Sequence, residues 1–164
     1  MTTVPDHLAR QLADRVRGAR YPGAGDDTLL TRLERAADSG RGITFVGAGE
    51  AVAVGYGQLH DECLSMAAAL QARGVGPRTH VAILGPTTRS LVTAVRATWM
   101  CGAAIVLLPL PMRLGSLDEF VLQTRARIRN ADAVVVLVDA DLAAFVELEE
   151  GDPPLISLSE LSPG

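Results

Sequence analysis

Three short, unbroken apolar runs constrain this chain more than any other feature: Val81–Leu84, Ala103–Leu108 and Ala133–Val138. A strand with one wet face alternates polar and apolar residues, and these runs do not alternate. They are too short for helices, so they read as strands covered on both faces, as in a parallel sheet. Parallel neighbours require a crossover between them, and the intervening segments supply helices. The first carries Leu91, Val92, Val95 and Trp99 behind a cap at Thr87 or Thr88. The second carries Leu117, Phe120, Val121 and Ile128 behind Ser116-Leu-Asp-Glu119, a capping box in which the Ser oxygen accepts from the amide three residues on. Strand–helix–strand units of this kind cross over right-handedly.

The flanking segments fit around that unit. Leu8, Leu12 and Val16 predict a helix over about Pro5–Arg17, broken by Tyr21–Asp27. A second helix, capped by Asp26 or Asp27, carries Leu29, Leu30, Leu33, Ala36 and Ala37 and stops at Ser39–Gly42. Ile43–Val46 and Ala51–Val54 read as a β-hairpin around Gly47-Ala-Gly-Glu50. A longer helix over Tyr56–Arg73 buries Leu59, Cys63, Met66, Ala67 and Leu70, and Gly74 stops it. Asp141–Glu149 fits a short helix, and Leu155–Leu158 a last strand after Pro153-Pro154. The expected fold is α/β: a mainly parallel, Rossmann-like sheet flanked by helices, with an N-terminal helical arm (residues 1–26) and a β-hairpin within an α/β unit (27–164).

Composition removes several functions. A hydrophobic fraction of 48% with 21% charged residues supports a core and not a disordered tail. All 15 basic residues are Arg, so chemistry that needs a Lys cannot reside here. Only 4% of residues are aromatic, and no basic patch accompanies them, which argues against nucleic-acid binding. The longest apolar run, Ala103–Leu110, is too short to span a bilayer, and Met1–Arg15 lacks a signal-like apolar stretch. A cytoplasmic protein is expected. Cys63 and Cys101 read as buried, reduced thiols.

The individual motifs favour scaffold over chemistry. Gly74-Val-Gly76-Pro77 follows a helix and precedes a strand, the reverse of a dinucleotide loop, and so reads as a helix stop and turn. Gly85-Pro-Thr-Thr-Arg89 sits between strand and helix, where anions can bind, but has too little Gly for a phosphate cradle. His7 and His60 are expected on helix surfaces and His80 at a strand edge; none has metal spacing. Arg125 and Arg129 share a helix face that Arg127 does not, and solvated charge is expected there, at Asp61-Glu62 and at Glu147–Glu150. These residues identify no catalytic, cofactor-binding or metal-binding group.

The wording of Tyr56–Gly115 carries further information. It reads YGQL, AAAL, GVGPRTHVAI and then WMCGAAIVLLPLP. In this order the segments resemble the N-terminal portion of the adenylate-forming superfamily, which includes acyl-CoA synthetases, peptide-synthetase adenylation domains and fatty acyl-AMP ligases. The resemblance runs from about Ile43 to Val138. PLPMRLGSLDEFV, Pro109–Val121, is most similar to fatty acyl-AMP ligases. Arg78-Thr79 replaces a usual Gly-Asp, and Gly55 a usual Thr or Ser. The resemblance implies the first subdomain of a large lobe, ending before the phosphate loop. The complete enzyme would use ATP and Mg²⁺ to convert a fatty acid to acyl-AMP, then pass the acyl group to an acyl carrier protein or to CoA. The family's catalytic Lys has no counterpart here. The resemblance leaves Trp99, Pro111, Met112 and Arg113 as candidates for an acyl-pocket wall or a lobe interface. It implies a chain inactive alone, whose partner is the remainder of the enzyme. A CoA ligase fragment and a non-enzymatic interaction module are the alternatives.

Overall fold

A computed structural model describes residues 28–47, 49–111 and 116–161. The expected helix at Pro5–Arg17, the arm over residues 1–26, His7, Met112 and Arg113 lie outside the described residues.

Helix α1 spans Leu29–Ala37, and its cap is Thr28, not Asp26 or Asp27. The Thr28 hydroxyl accepts from the Thr31 N–H at 3.2 Å, satisfying one of the amides a helix start leaves open. Strands β1 (Gly42–Phe45) and β2 (Val52–Gly55) form the predicted antiparallel hairpin. A Cβ on Gly42 would collide with the Val54 carbonyl oxygen, so the strand pair needs glycine there. Helix α2 spans Tyr56–Gln71 and buries the five residues its periodicity indicates: Leu59, Cys63, Met66, Ala67 and Leu70. Gly74 ends this segment in the left-handed region at φ 85°, with its N–H donating to Gln71 O and that of Val75 to Leu70 O.

The main sheet holds β3 (His80–Leu84), β4 (Ala104–Leu107), β5 (Ala133–Val138) and β6 (Leu155–Ser157). Their order is β4-β3-β5-β6, and every pairing is parallel. Side chains on a strand alternate faces, and the two cores follow that parity. Val81, Ile83, Val135 and Leu137 pack on one face with α2 and with α3 (Arg89–Met100). Ala82, Leu84, Val136 and Val138 pack on the other with Ile128 of α4 (Leu117–Asn130) and with a 3-10 helix over Ala140–Phe145. Phe120 and Phe145 meet edge to face there, ring centres 5.9 Å apart. A third cluster, Val54, Leu59 and Cys63 with Ile43, Phe45, Val92 and Met100, joins the hairpin to α2 and α3.

The chain steps outward from β3 to β4 through α3 on the first face. It then returns past β3 to β5 through α4 on the second. Reversing direction and face together preserves handedness, as uniformly handed crossovers require.

Four expectations need correction. The run Ala103–Leu108 is not covered on both faces: among the described residues β4 is the edge strand of the sheet, and Leu107 is 55% exposed. Leu117 opens α4 on its outer side and is about half exposed. The segment at Asp141–Glu149 closes as a 3-10 helix capped by the Asp139 carboxylate, which accepts from Asp141 N–H at 3.2 Å. The last strand is shorter than expected, because Leu158–Leu161 turns into a one-turn helix, α5, whose Leu158 and Leu161 join the first-face core.

Candidate functional site at the carboxyl ends of the strands

In open parallel sheets, ligands bind outside the carboxyl ends of strands where adjacent connections leave to opposite faces. Here that condition is met by β3, which leads to α3 on one face, and β5, which leads to the 3-10 helix on the other. The place is occupied by the chain itself. Asp139 N–H donates to Leu84 O at 2.9 Å, tying the two strand ends together. A Cβ on Gly85 would lie 3.3 Å from Leu158 and 3.5 Å from both Leu91 and Asp139. Gly85 therefore packs closely against these side chains. Thr88 caps α3 by accepting from Leu91 N–H at 3.3 Å. Arg89 is engaged as well: its Nε donates to Glu62 Oε2 at 3.0 Å, and its Nη2 pairs with Glu62 Oε1. Glu62 is thus part of a two-point bridge between α2 and α3, not solvated charge. The hydrogen bond to Glu62 raises the Arg89 pKa further, so Arg89 stays cationic.

Trp99 lies in the last turn of α3, just before β4 starts, and Pro111 lies beyond β4's end. Both are half-buried, and the topology places them at opposite ends of the sheet. The structure does not bring this pair of candidates together.

Two charged arrangements were not legible as such in the sequence. The first is Arg96 on α3, only 5% exposed, with no hydrogen-bond partner for Nε or Nη2. Its place between Val92 and Met100, four residues away on each side, was the available signal: both belong to the hairpin-side apolar cluster. Burial pushes the neighbouring Cys63 thiol up to about 11, with the positive charge of Arg96 offsetting part of the rise. Burial also raises the Cys101 thiol, which donates to Ala67 O at 3.5 Å. Both cysteines are free and buried, as expected. His60 is half-buried with its Nδ1 lacking a partner, and His80 begins an interior strand and not an edge.

The second arrangement overturns the solvated reading of the Arg run. Asp152, its side chain 1% exposed, accepts at 2.6 Å from the Nε of both Arg125 and Arg129 and at 2.9 Å from Glu149 N–H. Glu149 also pairs with Arg125. These bonds, led by the Glu149 amide and Arg129, hold the Asp152 carboxyl well below the usual range. Arg127 points elsewhere and donates to Gln123. An open cleft of about 410 Å³ adjoins this cluster, lined by Arg129, Asp132, Gly151 and Asp152. It lies at the start of β5, the end of the sheet opposite to where parallel folds place ligands. Among the described residues, no three His, Cys, Asp or Glu side chains are grouped to hold a metal ion. No helix among them is long and apolar enough to cross a membrane.

Comparison with known proteins agrees with this scaffold. Over 98 residues the chain is 33% identical to the phenyloxazoline synthase MbtB of Mycolicibacterium paratuberculosis (strain ATCC BAA-968 / K-10), covering 58% of this chain and 8% of that protein. The fold superposes on a fatty acyl-adenylate ligase from L. pneumophila in complex with acyl adenylate and pyrophosphate, with TM-score 0.66 and 24% identity, over 81% of this chain and 23% of that one. It also superposes on O-succinylbenzoate coenzyme A synthetase from Bacillus subtilis, with TM-score 0.59 and 21% identity, over 82% and 32% respectively. The chain thus spans a third or less of each of these proteins. The AMP-binding enzyme family matches residues 33–160, most of the chain, and the chain belongs to that family of adenylate-forming enzymes.

Proposed function

We propose that this chain forms the first part of the large lobe of an enzyme that activates a fatty acid as its acyl-AMP. The carrying observation is the superposition on a fatty acyl-adenylate ligase, which takes in 81% of this chain but only 23% of the ligase. The Pro109–Val121 segment, PLPMRLGSLDEFV, supports the fatty acyl branch. In the complete reaction the fatty acid carboxylate attacks the α-phosphorus of ATP, and pyrophosphate leaves. The carrier-protein or CoA thiol then attacks the acyl carbonyl, and AMP leaves.

The described residues do not fit ATP or Mg²⁺. Gly85 is closed by Leu158, Leu91 and Asp139, Arg89 is held by Glu62, and the sequence contains no Lys. No chemical step is assigned to this chain. Its residues build the sheet on which the remainder of the enzyme rests, and the remainder holds ATP and Mg²⁺. The enzyme works in the cytoplasm, with the fatty acid and an acyl carrier protein as its partners.

ATP–pyrophosphate exchange with fatty acids, measured on the 164-residue protein, should stay at background; substantial exchange would overturn the proposal. The similarity to a phenyloxazoline synthase, of which the chain covers 8%, favours one other reading, an AMP-binding unit of a larger synthase with a different acid substrate. Comparing fatty and aryl acids in the same assay on the full gene product separates the two. The coenzyme A synthetase likeness keeps CoA as an acceptor to be tested against carrier protein.

A further inference from the structure

The two edges of the parallel sheet differ in a way that assigns one of them a partner. In β4, Ala104 N–H donates to Thr79 O and Leu108 N–H to Ile83 O, each at 2.9 Å. Backbone groups of a strand alternate sides, so Ala104, Val106 and Leu108 face β3. The N–H and C=O of Ile105 and Leu107 therefore point away from the sheet, and among the described residues β4 has no neighbour on that side. The strand is Ala-Ile-Val-Leu, without a charge, a Pro or a bulge to discourage pairing.

The β6 edge is guarded. Val136 N–H donates to Pro154 O, which places Leu155 and Ser157 outward. Ser157 N–H is taken by the Glu160 carboxylate at 3.4 Å, Pro153 and Pro154 offer no donors, and α5 begins at once.

The geometry points to strand addition at β4: an extended apolar segment pairs with Ile105 and Leu107. Its source is the part of the adenylating polypeptide that corresponds to what relatives carry outside the matched quarter. A second copy is a poorer occupant. A stable interface between copies buries roughly 1,200–2,000 Å², and a four-residue edge supplies far less on its own. A segment tethered in the same polypeptide needs no such area, because its effective concentration is on the order of millimolar. This inference rests on the proposed function.

Residue-resolved amide exchange, run on the 164-residue protein and on the full translation product of its gene, tests it. Ile105 and Leu107 amides should exchange fast in the first and about 100-fold or more slowly in the second. Leu107→Pro removes only an outward donor. It should leave the melting temperature of the 164-residue protein nearly unchanged and abolish the protection in the full product. Val106→Pro removes an inward donor and should destabilise both. A full product that forms acyl-AMP with both amides unprotected sinks the strand inference and spares the functional one. A protected full product that forms no acyl-AMP does the reverse. A product that ends at Gly164 with open amides removes both. Concentration-dependent protection of the 164-residue protein would mean a second copy and overturn the assignment.

Discussion

Helices α3 and α4 lie on opposite faces of one sheet, and each takes an arginine out of water. On α4, Arg125 is answered by Asp152 and Glu149, and Arg129 shares Asp152. Those charges tie the loop before β6 to the helix, and the apolar core on that face is correspondingly small. On α3, Arg96 has no salt-bridge partner among the described residues, and Glu62 of α2 is committed to Arg89. That side is held by packing: Met66 and Leu70 of α2 against Leu91, Ala94 and Ala97 of α3, with alanines that let the helix approach closely. The contrast teaches that burying a guanidinium is tolerable in either of two ways. Its charge is matched locally, or the surrounding apolar contacts are extensive enough to offset it.

The largest effects should come from the cores themselves. Leu70→Ala on the first face and Ile128→Ala on the second should each cost about 2–5 kcal/mol, since both side chains are fully buried. Both should melt in one transition by calorimetry; two separate transitions for Ile128→Ala would mean that the faces fold independently. Next is Arg96→Met, which exchanges an unmatched charge for an apolar chain of similar length. It should raise stability by about 1–4 kcal/mol in urea titrations. A lowered midpoint would show that the guanidinium finds a partner in solution and would erase the contrast with Arg125.

Asp152→Asn should lower the melting temperature by several degrees and flatten its acid limb. The native carboxyl is depressed, so its contribution is complete above the ordinary aspartate pKa of about 3.9. It is lost as pH falls from there through the native value. An acid limb as steep as that of the parent would place the sensitive carboxylate elsewhere. The smallest effect concerns Cys63, whose pKa is raised to about 11 by burial from an ordinary 9.0. Its contribution is present below pH 9.0 and lost between there and about pH 11. Cys63→Ala should therefore flatten the alkaline limb of a melting-temperature profile. A parent profile already flat in that window would contradict the buried thiol.

Much of the scaffold was legible because it rests on local periodicity. The five buried residues of α2, the hairpin, the Ser116 cap and the run Ala133–Val138 follow from spacing and turn chemistry. The capping box is half realised: Ser116 accepts from Glu119 N–H, while the Glu119 carboxylate accepts from Gln123. The run Ala103–Leu108 misled because an apolar run reports a tendency to be covered, not the presence of a cover. The Arg125 and Arg129 pair was placed on one face correctly, but Asp152 lies 23 residues from Arg129 in the chain, and no local pattern joins them. Trp99 and Pro111, named as candidates on the family resemblance, stand at opposite ends of the sheet, because the strand between them separates them.

Sequence alone thus determined the α/β class, the glycine stops, the absence of any lysine chemistry and the resemblance to adenylate-forming enzymes, which the family match bears out. These properties depend on residue identity and on spacings within one turn or one strand. Only the tertiary structure decided which charges meet, which strand edge is guarded, and that Gly85 at the switch point packs against Asp139 and Leu158. Those outcomes join residues far apart in the chain, and their relative positions exist only once the sheet has formed.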